Sequence, residues 1–395
     1  MTTTAIQPPA ETSGASPFSR VVTQTLAMFA DAYRELNARR MFWITLALSG
    51  LIVAVFAIIG FNDEGIIIGW KTFPLAQLNT RLIPKDTLYK ALFLTLGVDK
   101  WLTGFALMLA IGSTAGLIPD FIAGGSVDLY LSKPMGRLRL FLTKYLTGLV
   151  FVALQVTLFC VASYFVLGLR GGVWSSGVFV AIPFVVLFFS YLYCVSALVG
   201  IITRSTLATL LLTALFWVGL VAIDSAEKIL LGLETSQLIQ ARDLDRQIVS
   251  LKKLLADLET VPPNTGNVEV RRAVASRSLE KAERDREELP SGTYTPWHRL
   301  LYCLKWPLPK TGETYFVIER TMQEHIRLGR EYTEKDPSES DTRGFFRNPE
   351  LRMRTAVETD RIVRSRPVSY VIGTSIGFEI VALIIAAWIF CRRDF

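Results

Sequence analysis

Residues 178–223, VFVAIPFVVLFFSYLYCVSALVGIITRSTLATLLLTALFWVGLVAI, decide the fold class of this chain. A single charged side chain, Arg204, divides the stretch into two apolar runs, 178–202 and 206–223. An α-helix of about 20 apolar residues is long enough to cross the ~30 Å hydrocarbon core of a bilayer. Two transmembrane helices are therefore predicted here, joined by a short basic turn.

The same pattern recurs outside this stretch. Further apolar runs of similar length lie at 41–60, 101–118, 145–169 and 369–390. Only 19% of the 395 residues are charged, against about a quarter in an average soluble domain. We predict an all-α integral membrane protein with six transmembrane helices. Residues 88–98 form an apolar lead-in to the second span, interrupted by Asp99 and Lys100. This lead-in is predicted to be either a re-entrant or interfacial helix, or the start of one long span.

The remaining segments divide the chain into domains. Residues 1–17 are rich in Thr, Ala, Ser and Pro and are predicted to be a disordered cytoplasmic tail. Residues 18–40 repeat apolar side chains at helical spacing and end in two arginines, which predicts an interfacial amphipathic helix. Spans one to five occupy 41–223, a large polar domain occupies 224–367, and 368–395 hold span six and a basic end.

Short basic loops orient the spans. Arg39 and Arg40 precede span one, and basic residues also lie between spans two and three, between spans four and five, and after span six. With an even number of spans all of these lie on one side, which the positive-inside rule assigns to the cytoplasm. Basic residues in the first outer loop, and Arg361, Arg364 and Arg366 before span six, count against this assignment. We predict a multi-pass protein of the cell (inner) membrane with both termini in the cytoplasm.

The polar domain at 224–367 is then extracytoplasmic. Its first part carries apolar heptads, with Ala241, Ile248 and Leu255 at one core position and Leu244, Leu251 and Leu258 at the other. Such a repeat predicts a coiled-coil helix, and Pro-Pro-Asn-Thr-Gly at 262–266 predicts a turn. Together with the helix-prone stretch 268–289, this predicts a helical hairpin. A further helix at 297–305 has an apolar side suited to the outer membrane interface, and 311–330 is predicted to be helical.

Motifs for catalysis or cofactor binding are absent from the sequence. There is no Gly-x-x-x-x-Gly-Lys-Ser/Thr loop for nucleotide phosphates and no nucleophile elbow. The two histidines, His298 and His325, lack zinc-site spacing, and the four cysteines form no disulfide framework. The net charge of +7 comes largely from residues beside the apolar runs, which indicates membrane orientation. We predict contact with membrane lipids, no nucleic acid, no cofactor, no metal and no enzymatic activity of this chain alone.

The segment that suggests a function lies between spans two and three. It consists of IPDFIAGGSVDLYLSKPMGR at 118–137 and LFLTKY at 140–145. The order of its residues resembles the cytoplasmic loop of ABC-2-type transporter permeases, the membrane subunits of one class of ATP-driven exporters. The matching positions are Asp120, Gly125-Ser126, Val127-Asp128, Ser132-Lys133-Pro134, Arg137 and Thr143-Lys144. The basic ending from Cys391 to Phe395 is also similar to that family.

The resemblance implies the permease subunit of an ABC transporter, which forms the translocation pathway for export. It implies coupling through residues 118–144 to a separate ATPase subunit, expected in two copies, and a second permease copy in a homodimer or pseudo-dimer. The coupling residues would be Asp120, Phe121, Gly125, Ser126, Asp128, Tyr130, Ser132, Lys133, Pro134 and Arg137. A transporter without a nucleotide site needs a rigid handle. A short helix here would present Phe121, Ile122, Leu129 and Tyr130 to a cleft in the ATPase. The alternative is a plain amphipathic connector.

Glu379 lies near the midpoint of span six. A carboxylate at this depth is costly unless it is paired or neutralised. We predict that Glu379 lines a substrate path or a dimer interface. A protonated Glu379, hydrogen-bonded to a Ser, Thr or Tyr of a neighbouring helix, explains its position equally well.

Two other classes of function stay open. The chain could be a membrane receptor or scaffold that uses the helical hairpin to bind an extracytoplasmic partner. A secondary transporter is disfavoured because the sequence has no repeated halves and few charges within the spans. Lipid, polysaccharide, peptide, drug and metal-maturation cargos are all compatible with the sequence.

Overall fold

The computed structural model describes residues 40–63, 65–74, 83–123, 136–260, 267–289, 294–326 and 349–393, together with Ala27, Ala30, Arg34, Asn37 and Thr80. Over these residues the chain is mainly helical. Contacts divide it into two compact units: a first unit of residues 1–214 and 379–395, and a second unit of residues 215–378.

Six helical runs in the described part of the chain are long and apolar enough to cross a membrane. They are Arg40–Ile58, Lys85–Ile122, Arg137–Gly171, Ser176–Thr203, Thr206–Glu259 and Val368–Arg392. Five of these runs contain a predicted span in full. The run Arg40–Ile58 contains the first predicted span, 41–60, except for its last two residues. The prediction of six apolar helices of membrane-spanning length is therefore confirmed. An amphipathic helix was predicted at 18–40. The four described residues before Arg40, which are Ala27, Ala30, Arg34 and Asn37, are helical.

A three-stranded antiparallel sheet follows helix α1 (Arg40–Ile58), and the sequence analysis did not predict it. Its strands, in spatial order, are β1 (Ile59–Asn62), β2 (Gly65–Ile68) and β3 (Lys71–Pro74). The turn between β2 and β3 requires a positive φ of 64° at Gly69, which glycine adopts without steric cost. Tyr89 Oη donates a hydrogen bond of 2.9 Å to the Ile59 carbonyl, which fixes the sheet to the next helix.

The second span is one long helical run. It consists of α2 (Lys85–Leu92), a π-helical segment (Phe93–Phe105), α3 (Ala106–Thr114) and, after a turn, the short α4 (Leu117–Ala123). Asp99 and Lys100 lie inside the π-helical segment, and their charged groups are 3.1 Å apart. The wider π-helical turns keep the run continuous where its apolar pattern is interrupted. Residues 88–98 therefore form the start of one long helical run, which is the second of the two predicted alternatives.

The rest of the first unit is built around α5 (Arg137–Gly171) and α6 (Ala181–Thr203), which follows a 3₁₀ turn (Ser176–Val180). Helix α5 packs against α1 and α6, and α3 packs against both of these. Aromatic rings fill the contact between α1 and α5, where the ring centroids of Phe42 and Phe151 are 4.8 Å apart. A Cβ at Gly148 would overlap the Tyr193 ring, so glycine is needed for the close approach of α5 to α6.

Helix α7 (Thr206–Glu259) continues from predicted span five into the predicted coiled coil as one helix. Its heptad positions, 241, 244, 248, 251, 255 and 258, are half-buried or buried, whereas most positions between them are exposed. Helix α8 (Val268–Glu288) runs antiparallel and buries Val268, Ala275 and Ala282 at the same seven-residue spacing. Ion pairs join the two helices, as between Lys252 Nζ and Glu283 Oε1 at 2.9 Å. The helical hairpin predicted from the heptads is present.

Four more helices complete the second unit and the sixth candidate span. They are α9 (Thr295–Lys305), α10 (Thr311–Ile326), α11 (Pro349–Arg364) and α12 (Val368–Arg392). Helices α9 and α10 match predicted helices. The turn predicted at 262–266 lies outside the described residues. Helix α10 packs against α11.

Candidate functional site

The predicted coupling segment is described at its two ends, by α4 and by the start of α5. Its middle part lies outside the described residues. This part contains seven of the predicted coupling residues, Gly125, Ser126, Asp128, Tyr130, Ser132, Lys133 and Pro134. Asp120, Phe121 and Arg137 are described, and each contacts another helix.

Asp120 joins α4 to the first residue of α7. Thr206 Oγ1 donates a hydrogen bond of 2.5 Å to Asp120 Oδ1. Helix α4 also packs closely on α6, because Gly200 leaves room for the ring of Pro119. The N-terminal end of the coupling segment is therefore attached to two candidate spans.

Phe121 and Ile122 face the interior of the first unit. Phe121 is only 5% exposed, and the ammonium group of Lys144 lies 4.8 Å from the centre of its ring. The structure thus brings together two positions of the segment, one on α4 and one on α5, in a cation–π contact. The expectation that Phe121 and Ile122 are presented to a cleft in a partner is corrected: both side chains are buried within this chain.

Arg137 joins the other end of the segment to the C-terminus of α12. Its Nη1 donates hydrogen bonds to the carbonyl oxygens of Cys391, at 3.2 Å, and Arg393, at 2.9 Å. Arg393 in turn donates to the carbonyl of Ile201 near the end of α6, at 2.8 Å. Carbonyl groups at a helix C-terminus lack intrahelical partners and carry partial negative charge, so arginine satisfies both their hydrogen bonding and their electrostatics.

Glu379 lies in a polar cluster between α12, α5 and α6. Tyr145 Oη donates to Glu379 Oε1 at 2.9 Å, and Ser190 Oγ donates to Glu379 Oε2 at 2.8 Å. Both carboxylate oxygens are therefore satisfied by neighbouring helices, as the alternative interpretation of Glu379 expected. A Tyr and a Ser that lie so far away in the sequence could not be identified as its partners before the fold was known.

A small cavity lies between α1, α3, α5 and α6. Its lining is mostly aliphatic, with the polar side chains of Thr45, Ser49 and Gln155. Gln155 is 5% exposed, and within the described part of the chain its Nε2 has no hydrogen-bond partner. The bundle therefore offers a buried donor to a polar atom in this cavity.

The second unit contains a buried ion network that the sequence analysis did not predict. At its centre, Lys305 Nζ lies 2.5 Å from Asp224 Oδ1, 2.6 Å from Glu227 Oε2 and 3.2 Å from Glu313 Oε1. Arg366 pairs with both Glu227 and Glu313. The network joins α7, α9 and α10 to the residue two places before α12. A Cβ at Gly312 would overlap the Asp224 carboxylate, so glycine is required there.

Burying these ions is tolerated because Lys305, Arg366 and each of the three carboxylates have at least two charged partners. Lys228 adds a contact of 2.8 Å to Asp224, so that three cations face three carboxylates. Desolvating an unpaired ion costs several kcal/mol, and a balanced, multiply bonded network offsets much of that cost. The sequence signal was the pair Asp224 and Glu227, one helical turn apart directly after an apolar run, but their partners are far away along the chain.

Lys310 lies beside this network. It is 1% exposed, and its Nζ donates to Thr374 Oγ1 at 2.8 Å and to the Trp306 carbonyl at 3.2 Å. Burial, reinforced by the positive charges of Lys305 and Arg366, lowers the pKa of Lys310 to about 8. His298, which lacks zinc-site spacing in the sequence, borders the network, with Nδ1 3.1 Å from Glu234 Oε2.

Comparison of the chain with protein-family models, with curated proteins and with solved structures finds no match. The resemblance to ABC-2-type permeases therefore rests on the order of the residues at 118–145 and on the basic ending from Cys391 to Phe395.

Proposed function

We propose that this chain is the permease subunit of an ABC transporter and couples through residues 118–144 to a separate ATPase subunit. The proposal combines the order of residues in that segment with six helices of membrane-spanning length. ATP hydrolysis would take place on the partner, expected in two copies. Export as the direction of transport, and a second permease copy, follow from the resemblance.

One observation carries the proposal: both ends of the coupling segment are attached to helices of the bundle. Asp120 accepts a hydrogen bond from Thr206 at the start of α7, and Arg137 binds carbonyl groups at the end of α12. A segment that transmits a partner's movement must be fixed to the helices that move, and a plain connector has no such requirement. Because Phe121 and Ile122 are buried, we assign contact with the ATPase to residues 124–135, which include Asp128 and Tyr130.

The test is co-purification of an ATPase subunit with the affinity-tagged chain. Tyr130→Asp would place a charge in a desolvated contact, and Asp128→Arg would invert a charge that sets the docking register, at a cost of about 1–5 kcal/mol. We expect both variants to insert into the membrane normally and to lose most of the bound ATPase, measured by quantitative mass spectrometry of the purified complex.

Glu283→Arg on α8 is the matched control, because it also inverts an acidic residue but lies in the hairpin. It should retain the ATPase in full. The proposal is wrong if no ATPase co-purifies with the wild-type chain, or if both loop variants bind it as well as wild type does.

The hairpin favours a second candidate, a receptor or scaffold that binds an extracytoplasmic partner. Helices α7 and α8 carry exposed aliphatic side chains outside the heptad contact, among them Val249, Leu254, Val270 and Val274. A contiguous apolar patch marks a surface that binds another protein, and these side chains are the residues of the hairpin that could form one. In this alternative, loss of the hairpin abolishes function while Tyr130→Asp and Asp128→Arg leave it intact.

A further inference from the structure

Helix α9 has three distinct faces. On the first face, Trp297, Leu300 and Leu304 are 62%, 57% and 52% exposed. The second face carries Lys305, which is buried in the ion network, with His298 and Tyr302 on the same side. Since successive residues of a helix are rotated by about 100°, the exposed Arg299 and Cys303 fall on a third face, away from both. The helix therefore has an apolar, a protein-facing and a polar side.

The second face fixes α9 at the end of an apolar run. Asp224, which pairs with Lys305, directly follows the apolar residues of α7 that end at Ile223. Arg366, in the same network, lies two residues before the first apolar residue of α12. Tyr302 stacks on Tyr370 in the first turn of α12, with a centroid distance of 6.5 Å. Within the second unit, α9 thus lies where both candidate spans change from apolar to polar.

We propose that α9 binds the surface of the lipid bilayer, with Trp297, Leu300 and Leu304 inserted at the boundary between headgroups and acyl chains. The Lys305–Asp224 ion pair and the Tyr302–Tyr370 stack hold this exposed apolar face beside the ends of two helices of membrane-spanning length, and this position identifies the bilayer as the occupant. Tryptophan is enriched at this boundary because its ring is apolar and its N–H can reach water. Arg299 and Cys303 face the water side.

Binding of α9 to the bilayer supports the ion network of the second unit, and this role is separate from the proposed transport function. Helix α9 contributes Lys305 to the network that also holds α7, α10 and the start of α12. Insertion of the apolar face into lipid holds this lysine beside its three carboxylates. The bilayer surface thereby becomes part of the support of the ion network, whatever the chain transports or binds.

Spin labels on adjacent residues of α9 test the proposal. In a Cys303→Ser, Cys391→Ser background, a label is attached to Leu300→Cys on the apolar face or to Arg299→Cys on the polar face. The full-length protein is reconstituted in vesicles of phosphatidylcholine and phosphatidylglycerol. Collision of each label with oxygen, which concentrates in lipid, is compared with collision with a water-soluble nickel chelate. We expect oxygen to dominate at position 300 and nickel at position 299.

Each other outcome overturns the proposal. Nickel collision at both positions would place the apolar face in water. Low collision with both reagents at position 300 would mean that another protein surface covers it. A label on the hairpin, at Thr260→Cys, is the control for a position in water, since Thr260 is exposed at the end of α7. The measurement involves no ATPase, so its outcome is independent of the proposed function.

Discussion

Lys310 is the residue whose protonation the fold changes most clearly outside the candidate spans. The neighbouring network already balances its own charges, and within the described residues no carboxylate pairs with Lys310. Its contacts are instead a hydroxyl, a carbonyl and the ring of Tyr370, whose centre is 4.6 Å from Nζ. Burial beside two positive charges therefore disfavours the ammonium form.

This shift predicts a pH dependence of stability with a defined sign. Between the folded pKa of about 8 and the ordinary value of 10.5, the unfolded chain binds a proton at Lys310 that the folded chain does not. Stability therefore rises with pH in this window, and from pH 7.5 to 9.5 the gain from this group is about 2 kcal/mol. Thermal unfolding in detergent should show a larger rise for wild type than for Lys310→Met.

Lys281→Met provides the matched control, because Lys281 is an exposed lysine on α8. Its stability should follow the wild-type pH dependence. If Lys310→Met also follows it, the lysine is ionised like any other and the burial argument fails.

At the same scale, the sequence identified some important residues but not their partners. Glu379 stood out because a carboxylate within an apolar run is rare. Its partners Tyr145 and Ser190 are hydroxyls among many in the spans, and only packing selects them. Lys305 did not stand out, since a single lysine in a polar domain is usually exposed.

At the scale of elements, helices and strands could be predicted where a sequence pattern repeats several times. The heptads from Ala241 to Leu258 repeat three times, and their positions form the contact between α7 and α8. The sheet at 59–74 was missed because its first strand continues the apolar run of α1, so that Ile59 and Gly60 were counted within the span. The available signal was the short β-branched run from Ile66 to Ile68, bounded by Gly65 and Gly69.

The hairpin contact predicts the effect of two core substitutions. Replacing Leu251 and Leu255 with Asp removes two half-buried apolar contacts, each worth about 1–2 kcal/mol, and places charge between the helices. In the full-length protein, backbone amides of α8 should exchange with solvent deuterium faster than in wild type. Val249→Asp with Ala256→Asp, at exposed positions of the same helix, should leave the exchange unchanged. Equal protection in both variants would contradict the heptad contact.

At the scale of the whole molecule, two continuous helices connect the ends of the coupling segment with the polar part of the chain. Helix α7 begins at Thr206, beside Asp120, and extends to Glu259. Helix α12 begins next to the ion network at Val368 and ends at the carbonyl groups that Arg137 binds. The predicted topology puts the coupling segment in the cytoplasm and the hairpin outside it. The proposed function requires the segment to be cytoplasmic.

Accessibility to a membrane-impermeant thiol reagent determines this orientation. Cys303 and Cys391 are replaced by serine, because they are not buried, whereas Cys160 and Cys194 are buried. Gly136→Cys reports on the coupling segment, since a Cβ there meets no neighbouring atom, and Thr260→Cys reports on the hairpin. In intact cells Thr260→Cys should react and Gly136→Cys should not, and after permeabilisation both should react. The reverse pattern would place residues 118–144 outside the cytoplasm, away from ATP, and would exclude coupling to a cytoplasmic ATPase through this segment.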